Sequence, residues 1–205
     1  MHPPILILAS ASLRRQELLR SAGISFEIIP SEVDEEWGEG ETPEDYVVRL
    51  ARLKAVKVGE KHKTRWVLAA DTIVVIDGRI LGKPRDRQEA EGMLETLSDR
   101  EHRVLTGYCL LQISSGKSRQ GRVVSRVRFK ELSPDEVRWY LDTGEAFDKA
   151  GAYAIQGKAA FMVKEVQGSY TNVVGLPLCE VVEALREMGG LSYQPSIPGP
   201  KSKIN

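Results

Sequence analysis

The chain has 205 residues, of which 41% are apolar and 28% are charged. That length and mixture suit one folded domain and exclude a collagen-like or wholly disordered chain. Lys plus Arg and Asp plus Glu both number 29, so no basic excess marks a general nucleic-acid binder.

The first apolar run, Ile5 to Ala9, reads as a short buried strand. It is too short for a secretion-signal core or a membrane span, which points to a cytoplasmic chain. Ser10-Ala11-Ser12 follows as a turn of small residues. A helix is expected over about 13–21, with Ser12 as N-cap and Gly23 just past its end. Phe26 to Pro30 is a second short strand. From Ser31 to Asp45 eight acids stand without a base, and the stretch with Gly38 and Gly40 reads as a loop. Thr42 caps and Pro43 opens a helix that runs to about Lys61.

Trp66 to Ala70 reads as a strand that ends at Asp71-Thr72; Ile73 to Ile76 continues extended. Asp77-Gly78 is a hairpin turn signal, and Gly82-Lys83-Pro84 closes that unit. Asp86 with Glu89 resembles a capping box for a helix to about Leu97. Two long β-type runs follow, His102 to Ile113 and Arg122 to Leu132, joined through Ser114-Ser115-Gly116. Lys117 to Lys130 holds six bases and no acid. Ser133-Pro134 opens a helix that ends near Gly144; Phe161 to Val166 and Asn172 to Val174 read as strands; Leu176 to Met188 is the last helix. Strands alternate with helices, but two adjacent strands have hairpin spacing. The fold class is therefore α/β with a mixed sheet. Residues 1–190 form the domain, and 191–205, rich in Pro, Gly and Ser, are expected to be a flexible tail. Cys109 and Cys179 lie too far apart for a disulfide framework or zinc ribbon and read as reduced thiols. His2, His62 and His102 lack metal-ligand spacing.

Five segments carry residues with chemistry. Ser10 to Arg15 joins a strand end to a helix N-terminus, whose free N–H groups attract anions. Arg14 and Arg15 oppose the helix dipole there unless an anion is bound; the segment is either an anion site or a capped helix with solvated arginines. Asp71, at a strand end, stands where open α/β sheets bind ligands. Its carboxylate can hold a metal or take a proton from water, or simply terminate a strand. Lys83 in its tight turn, and Lys54 beside the stripe of Leu50, Leu53 and Val58, either meet an anion or reach into solvent. Asp148 to Gly157 crowds small residues around Asp148, Lys149, Tyr153 and Gln156. That suits close approach and hydrogen bonding to a flat ligand, although Gln156 also fits as a buried structural amide.

Taken together, Leu8-Ala9-Ser10-Ala11-Ser12-Leu13-Arg14-Arg15, Val33-Asp34-Glu35, Ala70-Asp71-Thr72-Ile73-Val74, Gly82-Lys83-Pro84, Asp148-Lys149-Ala150-Gly151-Ala152-Tyr153 and Gly168-Ser169-Tyr170 to Gly175-Leu176-Pro177 resemble the Maf family of nucleoside triphosphate pyrophosphatases. The similarity runs from Ile5 to about Met188. It implies an elongated mixed sheet flanked by helices, with two lobes around a central cleft, similar to the inosine-triphosphatase architecture. It implies hydrolysis of a nucleoside triphosphate to the monophosphate and pyrophosphate with a divalent metal cation (Mg, Mn or Co), by a protein that is commonly a homodimer. Asp71 matches the family's proton acceptor; Arg14, Thr72 and Gln156 match positions of substrate choice. Ser10, Arg15, Lys54, Lys83 and Lys149 match phosphate-contacting positions, and Glu35 with Asp71 would hold the metal.

Within the family, Arg14-Arg15-Gln16, Ala70-Asp71-Thr72 and the pattern from Asp148 to Gln156 resemble the branch that favours dTTP and UTP. The branch that favours 7-methyl-GTP carries Trp before the arginine pair, Ser-Asp-Gln at the acid and Glu at position 156, none of which occurs here. Leu13 stands where the family usually has proline, which presets helical φ at that position, so the turn should be slightly looser. Two other functions stay open on sequence alone. One is nucleic-acid binding through a strand face with Arg126 and Arg128, and the other is nucleotide sensing in cell division without turnover.

Overall fold

The computed structural model describes residues 6–191; Ile5 and all but the first residue of the expected tail lie outside them. In chain order the elements are β1 (Leu6–Leu8), α1 (Leu13–Ser21), β2 (Phe26–Ile28), α2 (Pro43–Gly59), β3 (Trp66–Ile76), β4 (Arg79–Leu81), α3 (Arg87–Leu97), β5 (Glu101–Gln112), β6 (Lys117–Phe129), α4 (Pro134–Asp142), β7 (Val163–Gln167), α5 (Tyr170–Val174) and α6 (Leu178–Glu187). The strands form one sheet in the order β2-β1-β3-β5-β6-β7, with β4 also on β3. β1 runs parallel to β2 and β3, and the remaining pairs are antiparallel. The expected α/β class with a mixed sheet is what forms.

Side chains alternate across a strand, and the sequence of β3 uses both faces. Val67, Ala69, Ile73 and Val75 point to α2, whose Val47, Leu50, Ala51, Ala55 and Val58 pack along the sheet. On the other face Trp66, Leu68 and Ala70 join a core with α1 and α6. Val74 and Ile76 join a second core with α3 and α4. Between those two cores the strands carry buried Thr106 and Ser125, together with Thr72, in place of aliphatics. The two lobes are thus two cores on one face of a continuous sheet, separated by a polar seam. Gly107 brings α2 close to β5: a Cβ there would lie 2.2 Å from the Val47 carbonyl oxygen.

The helix starts hold, except that Asp86 with Glu89 does not complete a capping box, because the Glu89 carboxylate accepts Arg85 N in place of Asp86 N. Ser12, Thr42, Asp86 and Ser133 each accept a backbone N–H as N-caps, and Ser133 with Glu136 forms a full capping box. α1 starts at Leu13 despite the missing proline, although its cap bond to Arg15 N is long at 3.5 Å.

The strand expected over Arg122 to Leu132 runs from Lys117 to Phe129, and the one expected from Phe161 starts at Val163 after a 3-10 turn. Two further expectations, both at the site, are corrected. First, Asp71 does not end a strand, because β3 runs unbroken from Trp66 to Ile76. The polar pair does not stop it because β5 pairs with β3 from Val67 to Val75, through Asp71 and Thr72. Second, residues 172–174 are helical. The Ser169 hydroxyl caps the turn by accepting Asn172 N at 3.2 Å, while the buried Asn172 side chain donates to Val104 O and Ser125 Oγ.

Candidate active site

The site begins with what β3 lacks. On its β1 side, pairing covers Trp66 to Leu68 and resumes with β4 at Val74. Between them, Ala69 to Ile73 have no strand partner on that edge among the described residues. β1 is short and turns away through Ser10 into α1. This break in an interior strand's edge leaves room where a parallel pair ends, the place where open α/β sheets take ligands. The sequence reading had the right location for the wrong reason: the neighbour stops, and β3 does not.

Asp71 and Thr72 occupy this gap and, as consecutive strand residues, point to opposite faces. Asp71, 8% exposed, lies on the α2 face. There Lys54 Nζ stands 2.6 Å from Asp71 Oδ1 and 2.6 Å from Glu35 Oε1. Lys54 therefore does not snorkel: its ammonium bridges two carboxylates and is largely shielded. Thr72 lies on the other face and meets Arg15. The Arg15 guanidinium donates from Nε to Gly175 O at 2.8 Å, from Nη1 to Ser10 Oγ at 3.1 Å and from Nη2 to Thr72 Oγ1 at 3.1 Å. All three acceptors are neutral, so the charge is held in place without direct neutralisation. Burial pulls its pKa below the ordinary arginine range; Asp71 pushes it back up, and Arg14 adds to the fall. Arginine stays protonated regardless.

Three residues outside the expected site set hold this arrangement; Gly175 and Asn172 lie in the quoted motif from Gly168 to Pro177, and Thr106 lies in none. Thr106, opposite Thr72 in the register, lies 2.9 Å from its hydroxyl and donates to Asn172 O at 3.1 Å. Gly175 places its carbonyl under Arg15 with φ +125°, a backbone conformation that side chains rarely adopt. Asn172 ties α5 to β5 and β6. The available signal was a threonine inside the otherwise apolar run of β5.

The remaining expected residues lie to either side. Arg14 is half-buried; burial lowers its pKa and Asp148 is the strongest charge raising it. Asp148 pairs with Lys149. Burial works upward on the Asp148 carboxyl, but Lys149 and Arg14 outweigh it and the net shift is downward. Gly151 N donates to Gly82 O at 3.0 Å, joining this loop to the turn of Lys83. Lys83 itself is exposed, and no contact ties its ammonium to Asp71 or Glu35. Gln156 Oε1 is buried without a hydrogen-bond partner among the described residues. His102 Nδ1, Tyr140 Oη, Asn172 Oδ1 and Glu180 Oε2 are buried in the same way, so this does not set Gln156 apart.

Glu35 and Asp71 converge on one cationic atom, Lys54 Nζ. Two carboxylates on one cation suit a hard divalent ion that keeps waters and substrate phosphates as its other ligands. No group of three or more His, Cys, Asp or Glu among the described residues could cage a metal alone. The donor set thus fits an ion that arrives with a phosphate ligand and does not fit a resident structural ion.

The other motifs fall away. Arg126 pairs with Glu101 at 3.2 Å and Arg128 with Asp99 at 3.9 Å, which offsets the basic strand face. His102 is buried against Phe129 and Tyr153, with Nε2 2.8 Å from Tyr153 Oη. Cys109 is buried and Cys179 exposed, and both are free thiols. No helix among the described residues is long and apolar enough to cross a membrane.

Comparison with known proteins gives a consistent result. The dTTP/UTP pyrophosphatase of Geotalea uraniireducens (strain Rf4) is 56% identical over 190 residues, covering 91% of this chain and 96% of that one. The dTTP/UTP pyrophosphatase of Syntrophus aciditrophicus (strain SB) is 52% identical over 188 residues, 92% of each chain. Among solved structures, the Staphylococcus aureus Ham1 protein aligns with 90% of this chain and 98% of its own, at a TM-score of 0.49 and 12% identity, a loose likeness. A family model described as Maf-like protein matches residues 5–188. That span takes in every element that delivers a residue to the gap beside β3, and the chain belongs to the Maf-like protein family.

Proposed function

We propose that this chain hydrolyses dTTP and UTP to the nucleoside monophosphate and pyrophosphate, and that related modified pyrimidine triphosphates fall within its range. The observation that carries the reading is Asp71 in the edge gap of β3, met by the Lys54 ammonium on its own face, with an Arg15 guanidinium without a direct counterion on the opposite face of the same strand. Close relatives of this chain are dTTP/UTP pyrophosphatases.

In this reading water bonds to the α-phosphorus while the α–β bridging bond breaks. The bond's electron pair leaves with pyrophosphate, and Asp71 orients the water and accepts its proton. Arg15 and Lys54 face the negative charge that builds on the phosphates, with Ser10, Arg14, Lys149 and Lys83 around them. Because Arg15 is fixed by three neutral acceptors, little reorganisation is needed as charge develops. Glu35 and Asp71 would hold the divalent cation (Mg, Mn or Co), which supplies charge neutralisation of the phosphate oxygens when bound. Lys54 must then yield its place between the carboxylates and turn to the phosphates.

Base choice falls to Gln156, Thr72 and Arg14. The Gln156 amide carries both an acceptor for the N3–H of uracil or thymine and an N–H₂ donor for O4, and would have to turn out of its buried position to present them. The reading takes the protein to be a cytoplasmic homodimer; sedimentation of the purified protein tests the dimer and cell fractionation the location.

The functional test is pyrophosphate release from dTTP, UTP, CTP, ATP, GTP and 7-methyl-GTP with Mg, Mn or Co. We expect dTTP and UTP to lead. A preference for a 7-methylated purine would overturn the substrate assignment, and nucleotide binding without pyrophosphate release would make the chain a sensor.

A further inference from the structure

The acidic segment after β2 carries Glu35 but has no helix or strand of its own. Its carboxylates repel one another, and Glu32, Asp34, Glu36 and Glu39 find no ion pair within 4 Å among the described residues. Two side chains of α2 nonetheless fasten it at consecutive carbonyls. Tyr46 Oη donates to Glu35 O at 2.8 Å, and Arg49 Nη2 donates to Glu36 O at 2.9 Å. Arg49 also grips Glu41 with two bonds, at 2.6 and 2.7 Å. Glu41 in turn accepts Gly38 N at 3.1 Å, and Trp37 stacks on the Tyr46 ring at a centroid distance of 4.7 Å. The grip closes on Glu35 and the residues just after it, from a Tyr46 that stands two turns before Lys54 on the same helix.

We propose that Tyr46, assisted by Arg49, is a positioning residue that holds the Glu35 carboxylate beside Asp71 in readiness for a divalent cation. The inference rests on the functional reading above. α2 carries both the clamp and Lys54, so one rigid element sets the distance between the loop carboxylate and the strand carboxylate. The Tyr46 hydroxyl has a single role here: it donates to the main chain of the residue whose side chain must be aimed. Without it the loop keeps Arg49 as its anchor, but Glu35 gains freedom about its own backbone. The ring itself belongs to the core with Val47 and Leu50, so Tyr46→Phe removes the donor and keeps the packing.

The test measures Mn²⁺ affinity from the free-ion EPR signal, without nucleotide and again with the non-hydrolysable α,β-imido analogue of UTP. A lost hydrogen bond of ordinary strength corresponds to roughly three- to tenfold weaker Mn²⁺ binding in Tyr46→Phe. Amide exchange should quicken over residues 33–38 and stay unchanged in β3 and β5. The Mn²⁺ concentration for half-maximal turnover should rise in step, with kcat at saturating metal within about twofold of the parent. Mn²⁺ affinity equal to the parent's, in a folded Tyr46→Phe protein, overturns the inference and leaves the functional reading intact. If Tyr46→Phe does not fold, Arg49→Gln replaces it, and parental Mn²⁺ affinity there is equally decisive against the clamp. A parent protein that binds no Mn²⁺ under either condition overturns both the metal assignment and this inference; one that binds Mn²⁺ yet releases no pyrophosphate overturns the functional reading alone.

Discussion

Replacing Lys54 with methionine separates its two proposed tasks, since the unbranched stem is kept and the ammonium group that contacts both carboxylates is removed. Removing one partner of a buried ion pair costs about 3–5 kcal/mol, and an exposed pair is worth about 0–1 kcal/mol. The Lys54 and Asp71 side chains are 12% and 11% exposed, whereas Glu35 is 55% exposed. The Asp71 contact is therefore near the buried limit and the Glu35 contact near the exposed one. Arg15 still acts on Asp71, so Lys54→Met should lose about 2–4 kcal/mol of stability in urea unfolding. The two freed carboxylates should then bind a divalent ion better than the parent does. For a site with a Kd of about 1 mM, about 10 mM Mg²⁺ restores about 1.4 kcal/mol by linkage. Turnover should fall at least about a hundredfold, because the ammonium that faces the phosphates is gone. The assay is paired unfolding curves with and without Mg²⁺ at constant ionic strength. A stability loss under about 0.5 kcal/mol, with no greater response to Mg²⁺ than the parent's, would refute the bridged arrangement and the competition between ammonium and metal.

Asp71→Asn keeps the shape and removes the base. Pyrophosphate release should drop by about 10²–10⁴-fold while the α,β-imido analogue of UTP still binds, and a drop under tenfold would give the proton to another group. Gln156→Leu should lower kcat/KM for dTTP and UTP by about 10–100-fold and leave the background rate on purines nearly unchanged; an equal loss on all triphosphates would make Gln156 structural. Burial lowers the His102 pKa to about 4. Below about pH 6.5 the unfolded chain therefore takes up a proton that the native state refuses, and stability falls with pH. The His102 share of that loss is about 2 kcal/mol at pH 5. His102→Asn should flatten the stability profile between pH 7 and 5, and a profile that keeps its slope would show that other groups set it.

Local signals carried much of this structure in the sequence. Caps at Ser12, Thr42, Asp86 and Ser133 depend on neighbours three residues away, and each lies where its side chain suggested. Pairing between distant strands left no such trace. Nothing in Ala70-Asp71-Thr72 reveals that β1 stops at Leu8, so a mid-strand acid beside a gap looked like a strand terminus. Lys54 stayed open between an anion contact and solvent on its own residues, because its partner Asp71 belongs to another element. Asn172 to Val174 looked extended because β-branched residues favour strands; the cap at Ser169 and the polar contacts of the buried Asn172 overrode that preference. The family resemblance supplied the site residues that periodicity could not. It did not point to Tyr46, Arg49 or Thr106, whose roles depend on which main-chain atoms fold back against them.

The five positions from Ala69 to Ile73 that lack a strand partner on one edge among the described residues have a consequence beyond chemistry. Open backbone along a strand rich in Val, Ile and Ala is a template on which a foreign strand can add. A carboxylate at the midpoint of the opening, with a lysine and an arginine close on either side, makes that addition costly for any apolar strand. The charges that would receive a triphosphate therefore also guard the sheet against self-association, so neutral substitutions here bear on solubility as well as on turnover.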